Sequence, residues 1–485
     1  MSFSIDLFID GKRVAGAGEA AFDCVNPATG ETLGRFREAS SDQIEAAIAS
    51  AVRGQAIWAA MAAEERGRIL RRAAEILRER NDELAAIEVA DTGKPIGEAS
   101  TVDVQTGADA IEHYANLAGS IQGEYQDFGS GFYYTRREPL GVCAGLGAWN
   151  YPLQIACWKS APALACGNAM IFKPSELTPV NAVNLAEIYI EAGLPPGVFN
   201  VLQGERGPGA ALAAHPQVEK VSLTGSAPTG RKVMEAASPR LKEVSLELGG
   251  KSPFIIFDDA DPERAARLAL YANFLTQGEI CANGTRVFIQ DDIYDAVVEH
   301  ILARTAKIRV GDPTDPDTQV GALISKQHGE VVAGFVDRAR AAGASILCGG
   351  HSVEVAGCEG GAFYAPTVIG DSTDDMEHVR EEIFGPVMTL LRFSDEEEAV
   401  TRANASDYGL AGGVVTRDLT RAHRVAARIQ TGMFWINTYQ AQPMQIPFGG
   451  YKQSGIGREN GWDVLQEYTQ KKSVFVQMED EELPF

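Results

Sequence analysis

The sequence lacks the features that mark membrane, secreted and nucleic-acid-binding proteins. It has no run of about 18 apolar residues, so no transmembrane helix is expected. Its first residues, MSFSIDLFIDGKR, carry Asp6 and Asp10 within their apolar part, so no signal peptide is expected. Lys and Arg number 43 against 66 Asp and Glu, a net charge of −23. That balance argues against nucleic acid or an anionic membrane as a partner.

Cysteine is scarce, with 7 residues in 485, and no CxxC spacing occurs. This argues against a zinc site or a disulfide framework and predicts free thiols in a reducing compartment, hence a cytoplasmic enzyme without a metal. No GxGxxG fingerprint follows an apolar strand. What is present is an ordinary globular composition, 45% hydrophobic and 22% charged. The length predicts roughly three domains at about 150 residues each.

Short apolar runs alternate with helical stretches between residues 140 and 257, which predicts a parallel sheet covered by helices on both faces. The clearest helix runs from Thr178-Pro179 to Ala192-Gly193, with Thr178 as N-cap and Pro179 in the first turn. A second α/β stretch covers about 260 to 445. Ligands bind such sheets at the carboxyl ends of the strands.

Two further segments, 132–135 and 472–477, read as isolated strands outside these stretches. They either extend a sheet across a subunit interface or form an ordinary hairpin, and the sequence leaves both interpretations open.

Two strand ends could hold a nucleotide cofactor. Thr224-Gly225-Ser226 ends one apolar strand and opens a helix, which places free N–H groups and a hydroxyl where a pyrophosphate could bind. Lys173-Pro174-Ser175-Glu176 ends another strand, and its acidic residue favours the free ribose hydroxyl of NAD over the phosphate of NADP. The alternative for each segment is a turn with solvated charges.

Three residues could carry the chemistry. Cys281 lies among glycine and polar residues, unlike Cys143, Cys157 and Cys166, which read as small buried residues. Glu247 ends an apolar strand before two glycines and suits a general base. Asn150 follows the strand Val142–Trp149, where its amide could donate to an oxyanion. The alternative for Glu247 is a surface residue in a turn.

Taken together, these segments resemble the NAD(P)-dependent aldehyde dehydrogenase superfamily over essentially the whole chain. The ordered motifs that carry the resemblance are Thr92-Gly93-Lys94-Pro95, Trp149-Asn150, Lys173-Pro174-Ser175-Glu176, Thr224-Gly225-Ser226, Glu247-Leu248-Gly249-Gly250-Lys251, the Cys281 segment, Glu381-Glu382-Ile383-Phe384-Gly385-Pro386 and Pro447-Phe448-Gly449-Gly450. The segment 148–159 looks most like betaine aldehyde dehydrogenases, and 274–278 like trimethylaminobutyraldehyde dehydrogenases.

The resemblance implies a role for each matching residue. Cys281 would be the nucleophile, Asn150 and the Cys281 N–H the oxyanion hole, and Glu247 the base that activates water. Lys159 and Glu459 match a proton-relay pair. The residues expected to contact the NAD cofactor, with NADP possible, are Trp149, Asn150, Lys173, Ser175, Glu176, Gly209, Gly225, Ser226, Leu248, Glu382 and Phe384.

The resemblance also implies the architecture. A Rossmann-type cofactor domain is expected over 1–118 and 138–249, an α/β catalytic domain over 250–450, and a small β oligomerisation arm over 119–137 and 468–485. Homodimers or homotetramers are expected.

The substrate implied is a quaternary-ammonium aldehyde, betaine aldehyde or 4-trimethylaminobutyraldehyde. Tyr151, Trp158, Tyr439 and Phe448 would form an aromatic box around the cation. The alternatives are a generic apolar tunnel and a broad-specificity or aminoaldehyde dehydrogenase. Leu275 stands where plant betaine aldehyde enzymes carry Trp, which would widen the box.

Two other functions are disfavoured. The presence of Glu247 argues against a coenzyme A-acylating enzyme. The presence of Cys281, Glu247 and Asn150 together argues against a non-catalytic structural or binding protein on the same fold. Glu279 replaces the commoner Gln before the nucleophile, with an effect of unknown sign on the thiol.

Overall fold

The computed structural model describes residues 2–480. The strands, in chain order, are β1 Leu7–Ile9, β2 Lys12–Val14, β3 Ala21–Val25, β4 Thr32–Arg37, β5 Tyr125–Asp127, β6 Gly131–Pro139, β7 Val142–Leu146, β8 Ala169–Lys173, β9 Phe199–Val201, β10 Lys220–Thr224, β11 Glu243–Glu247, β12 Pro253–Ile256, β13 Arg286–Gln290, β14 Ser345–Cys348, β15 Thr367–Gly370, β16 Val387–Phe393, β17 Tyr408–Gly409, β18 Ala411–Val415, β19 Met433–Ile436, β20 Tyr451–Lys452, β21 Gly455–Ile456 and β22 Thr469–Gln477.

The helices are α1 Ser41–Ala60, α2 Ala63–Glu79, α3 Asn81–Thr92, α4 Ile96–Glu98, α5 Val104–Leu117, α6 Pro152–Ala165, α7 Val180–Glu191, α8 Arg206–Ala214, α9 Ala227–Ala237, α10 Pro262–Phe274, α11 Tyr294–Thr305, α12 Lys326–Ala341, α13 Glu377–Arg380, α14 Glu396–Asn404, α15 Leu419–Arg428 and α16 Val464–Glu467. A π-helical turn, Ala99–Asp103, joins α4 to α5, and short 3₁₀ turns occupy 118–120, 238–240, 275–278 and 291–293. None of the helices within residues 2–480 has the length and apolar character needed to cross a membrane.

The first sheet has the strand order β2-β1-β9-β8-β7-β10-β11-β21. Its five central strands, β9 to β11 in that order, are parallel and are linked by helices α6 to α9. The chain leaves β7 toward β8 and β9 on one side, and then returns to place β10 on the other. This reversal opens a crevice between the carboxyl ends of β7 and β10, where sheets of this kind bind ligands. The predicted parallel sheet is therefore confirmed.

The second sheet has the order β14-β15-β16-β13-β12-β18-β19, and every neighbouring pair is parallel except β14 with β15. Its strands come from residues 253–436, whereas the first sheet uses residues 7–247 and the short strand β21. This division supports the domain boundaries that we propose, 1–118 with 138–249 and 250–450, with the addition that the chain returns to the first sheet after residue 450.

The two segments that were expected to be isolated strands, 132–135 and 472–477, pair with each other. β6 and β22 are antiparallel from Thr469 opposite Pro139 to Gln477 opposite Gly131, and β5 adds a third strand. Tyr125, Phe128 and Phe475 remain 64%, 54% and 58% exposed on this small sheet. We propose that this sheet is the oligomerisation arm, because exposed aromatic residues on an extended sheet suit a protein contact. The part of the proposed arm at 481–485 lies outside the described residues.

A local side-chain cap explains the start of several helices, but not the start of α7. Ser40 Oγ accepts a hydrogen bond from the Gln43 N–H, and Gln43 Oε1 accepts one from the Ser40 N–H, a capping box at α1. By contrast, α7 begins at Val180, with Pro179 rather than Thr178 at the N-cap position. The predicted Thr178 cap is wrong, because the carboxylate of Asp91, from α3, accepts the Val180 N–H at 3.2 Å instead.

Phe254 lies at the centre of the second sheet, fully buried, with its ring 5.3 Å from that of Tyr439. We expect Phe254→Ala to lower the free energy of unfolding by about 3–5 kcal/mol, because the deletion leaves a cavity between close-packed strands. Leu419→Ala, at a residue that is 63% exposed, is the matched control and should change it by less than about 0.5 kcal/mol. Urea unfolding followed by circular dichroism measures both, and equal losses would contradict the core assignment.

Candidate active site

The cavity that contains Cys281 measures about 280 Å³ and lies where the two sheets meet. Asn150 follows β7, Glu247 ends β11, and Cys281 lies in the loop between α10 and β13. All three line this cavity, together with Lys159 and Glu459. Residues far apart in the chain thus converge at the crevice that the sheet topology predicts.

Cys281 is partly exposed to the cavity, whereas Cys143, Cys157 and Cys166 are buried. Burial, followed by the nearby carboxylates of Glu247 and Glu382, raises the pKa of the Cys281 thiol to about 12. The backbone N–H groups of Ala282 and Cys281 oppose this effect by favouring the thiolate. The free protein therefore holds a protonated thiol at neutral pH.

The carboxylate of Glu247 is buried, and neither oxygen has a hydrogen-bond partner among the described residues. Burial raises its pKa well above the usual range, the nearby Glu459 raises it further, and Lys159 and Arg458 oppose the shift. Gly449 makes room for this side chain, because a Cβ there would come within 2.7 Å of Glu247 Oε1. A desolvated acid with free oxygens facing a cavity suits a general base.

Asn150 and the ion pair behind it are held by hydrogen bonds. The Asn150 amide Nδ2 donates to the backbone oxygen of Glu279 at 2.9 Å, which connects Asn150 to the loop that contains Cys281. Lys159 Nζ donates to Glu459 Oε1 at 2.7 Å and to Ser222 Oγ at 2.9 Å, and Ser222 also donates to Glu459. This buried, charge-assisted network borders Glu247.

A second cleft of about 540 Å³ lies along the carboxyl ends of β7, β8 and β10. The residues of the predicted cofactor set that line it are Trp149, Lys173, Ser175, Glu176, Gly209, Gly225 and Ser226. Lys173 Nζ lies 3.6 Å from Glu176 Oε2, and Ser226 caps α9. A Cβ added at Gly209 would meet only side chains, at 3.7 Å, so the cleft floor is open there. Thr224 lines both cavities, so the two are neighbours.

Glu382 and Phe384 border these cavities without lining either. Glu382 Oε1 accepts the Gly250 N–H at 2.9 Å, and a Cβ at Gly249 would collide with its carboxylate. The Phe384 ring lies 5.2 Å from that of Trp149. Leu248 lies off the cleft as well, under α9, where it packs against Gly230. These residues could contact a cofactor only at the edge of the cleft.

Among the aromatic residues predicted for the substrate, Tyr151, Trp158 and Phe448 line the cavity that contains Cys281. Helix α6 begins at Pro152, with Tyr151 at its N-cap position and Trp158 seven residues later, and both side chains reach the cavity. Tyr439 does not line this cavity, so the structure does not place it in the predicted aromatic box. Its ring packs against Phe254, and its hydroxyl donates to the Ala282 backbone oxygen at 2.9 Å. Tyr439 therefore holds the loop that contains Cys281 without facing the cavity.

Other residues of the cavity wall were not found from the sequence. Tyr271 lies one helical turn before Leu275, so helical spacing could have identified it. Gln154, Gln440 and Gln442 supply amide groups, and no local motif marks them. Among residues 2–480, no group of three or more His, Cys, Asp or Glu is arranged to hold a metal ion.

The aldehyde dehydrogenase family model matches residues 14–474. The chain belongs to this family and is therefore an oxidoreductase of the aldehyde dehydrogenase fold.

Several solved structures are similar to it over nearly their whole length. Betaine aldehyde dehydrogenase from Staphylococcus aureus, in complex with NAD+, is 37% identical over 99% of this chain and 97% of its own, with a TM-score of 0.96. Gamma-glutamyl-gamma-aminobutyraldehyde dehydrogenase from Burkholderia cenocepacia is 39% identical over 98% and 97%, with a TM-score of 0.95. NAD-dependent aldehyde dehydrogenase from Sinorhizobium meliloti is 37% identical over 100% and 97%, with a TM-score of 0.97.

The raised pKa of Cys281 predicts the pH dependence of its labelling. Because only the thiolate reacts, the rate of iodoacetamide labelling in the free protein should rise about tenfold per pH unit between pH 7 and 9. Mass spectrometry of the Cys281 peptide measures this rate. A plateau below pH 9 would mean that the thiol ionises in the ordinary range and would contradict the role of burial.

Proposed function

We propose that this chain oxidises a quaternary-ammonium aldehyde to the carboxylic acid with NAD. The observation that carries the chemistry is the convergence of Cys281, Asn150 and Glu247 on one cavity that neighbours the second cleft, with Thr224 in the lining of both. A nucleophile, an amide donor and a buried base around one small space are the parts that acyl transfer through a covalent intermediate needs.

The residues that line the cleft fit a dinucleotide. The N–H groups at the start of α9 would hold a pyrophosphate, and Lys173 and Glu176 would hold the hydroxyls of the adenine ribose. The carboxylate of Glu176 favours NAD over NADP because it would repel a ribose phosphate. Bound NAD would supply the acceptor for the hydride of the aldehyde carbon. The structural neighbours crystallised with NAD+ support this assignment.

The chain's own residues perform the rest of the reaction. The Cys281 thiol first loses its proton to the nearby carboxylate of Glu247, which releases it to solvent. The resulting thiolate adds to the aldehyde carbonyl, and the Asn150 amide and the Cys281 N–H stabilise the oxyanion, each by about 3 kcal/mol. Loss of the hydride leaves a thioester on Cys281. Glu247 then takes a proton from water, which attacks the thioester and releases the acid. We propose that the buried pair of Lys159 and Glu459, which lines the same cavity as Glu247, passes that proton onward.

The cavity wall supports a cationic substrate. Trp158 and Phe448 lie with their rings 6.2 Å apart and edge to face, and Tyr271 adds a third ring. Tyr151 offers less than expected, because the Lys94 ammonium lies 3.6 Å from its ring centre and covers that face. A trimethylammonium group would gain about 0.5–2 kcal/mol from each desolvated ring.

A specific observation favours a second candidate, an aminoaldehyde that carries an amide. Trp158 Nε1 and Gln442 Nε2 are buried beside the cavity without a hydrogen-bond partner among the described residues. Unpaired buried donors favour a ligand that brings an acceptor, and a trimethylammonium group has none. The neighbour named for gamma-glutamyl-gamma-aminobutyraldehyde is consistent with this candidate.

We also propose that the protein acts as a homodimer or homotetramer.

Cys281→Ser should abolish NAD-dependent aldehyde oxidation and leave NAD affinity unchanged, because the hydroxyl is a poor nucleophile here. Glu247→Gln should keep a first-turnover burst of NADH and slow the steady state by about 100-fold, the range of a lost general base. Stopped-flow NADH absorbance measures both. Cys348→Ser, another partly exposed cysteine, is the control and should be fully active. Normal turnover by Cys281→Ser would overturn the nucleophile assignment.

The substrate class is tested with betaine aldehyde against its neutral isostere 3,3-dimethylbutanal. Trp158→Ala should reduce the kcat/KM preference for the cation by about 2- to 30-fold, the value of one cation–π contact, while Trp158→Phe keeps most of it. Equal losses on both aldehydes would support a plain apolar tunnel. Gln442→Leu should affect only amide-bearing aldehydes, so a selective loss there favours the second candidate.

A further inference from the structure

The loop before Cys281 contains a strained turn. Thr276 and Gln277 have φ values of 48° and 43°, and Gly278 follows at 79°. Three consecutive residues in the left-handed region are rare, and for a β-branched threonine this conformation is a true outlier. Such strain persists only where the surroundings hold it, and it concentrates at functional sites.

One buried carboxylate holds this turn. Glu98 Oε2 accepts the Thr276 backbone N–H at 2.9 Å, and Glu98 Oε1 accepts the Thr276 hydroxyl. Glu98 Oε1 also accepts the Tyr151 hydroxyl at 2.9 Å, and that hydroxyl lies 2.5 Å from Thr276 Oγ1. Glu98 is only 7% exposed and ends α4, just before the π-helical turn. Its two oxygens therefore fix both the backbone and the side chain of the outlier residue.

The strained turn is connected to the reacting groups on two sides. The Glu279 N–H donates to the Thr276 oxygen at 2.8 Å, and the Glu279 oxygen accepts the Asn150 amide, two residues before Cys281. On the other side, Gly278 is pressed against Gly385, where a Cβ would come within 2.1 Å of the backbone oxygen. A relaxation of the turn would move the amide donor and the thiol together.

We propose that Glu98 is a positioning residue that holds the Thr276–Gln277 turn in its left-handed conformation and so places Cys281 and Asn150 for reaction. It borders a neighbouring cavity of about 610 Å³, and it lines neither the cavity that contains Cys281 nor the cofactor cleft. It therefore acts through the residues that it contacts, which are the turn and Tyr151. The consequence for catalysis rests on the proposed function of Cys281.

The test is a double-mutant cycle with glycine at the strained position. Glu98→Ala should lower kcat at least tenfold, while NAD affinity stays within twofold of the wild type. Thr276→Gly removes the strain, because glycine adopts a positive φ without a steric penalty. Added to Glu98→Ala, it should restore kcat at least threefold, which a simple packing defect would not allow. Thr101→Val, in the same neighbouring cavity but without contact to the turn, is the control.

A second readout does not depend on substrate or cofactor. The iodoacetamide labelling rate of Cys281 in the free protein should change at least threefold in Glu98→Ala and return toward the wild-type rate in the double variant. This rate separates a failure of the proposal from a failure of the proposed function, since it reports thiol placement even if Cys281 were not the nucleophile. If Glu98→Ala does not fold, Glu98→Gln takes its place with the same criteria.

Either of two results would overturn the proposal. One is unchanged kcat and labelling in the Glu98 variant. The other is a loss of kcat that Thr276→Gly does not rescue, which would mean that Glu98 acts through packing alone.

Discussion

The burial of ionisable groups in a small cavity between two parallel sheets is the constraint on which this structure depends. Removing Cys281 and Glu247 from water raises the pKa of both groups, which keeps the thiol protonated in the free protein and makes the carboxylate of Glu247 a stronger base once it is ionised. Burial also strengthens any hydrogen bond that Asn150 gives to an oxyanion, because no water competes for it.

The fold provides this environment through topology and through a few backbone positions. The reversal of strand order between β7 and β10 opens the crevice, and the second sheet brings Cys281 to its mouth. Gly449 leaves the space that the carboxylate of Glu247 occupies. The turn at Thr276–Gln277 leads into the loop that contains Cys281. Two buried carboxylates hold it: Glu98 accepts the Thr276 backbone N–H, and Glu279 accepts the side-chain amide of Gln277.

The same polar burial limits what the substrate can be. The cavity offers aromatic faces from Trp158, Phe448 and Tyr271, but it also contains unpaired donors on Trp158 and Gln442. Lys94, paired with Asp103, already occupies one face of Tyr151. A cationic group would contact the aromatic rings of this wall, whereas a hydrogen-bond acceptor would pair with its free donors. A few side-chain contacts, and not the fold, therefore decide which substrate the cavity prefers.

The sequence by itself determined the parallel-sheet fold and, through its ordered motifs, the family, and it identified residues that the structure brings to one cavity. Strand runs, glycine turns and the residues at strand ends allow this because they are local patterns with fixed spacing. The sequence could not determine where Tyr439 lies, or that Asp91 rather than Thr178 caps α7. Nor could it show the strain at Thr276 or the contact of Lys94 with Tyr151. Each of these depends on side chains that are distant in the chain or on dihedral angles imposed by packing, and only the tertiary structure decides such contacts.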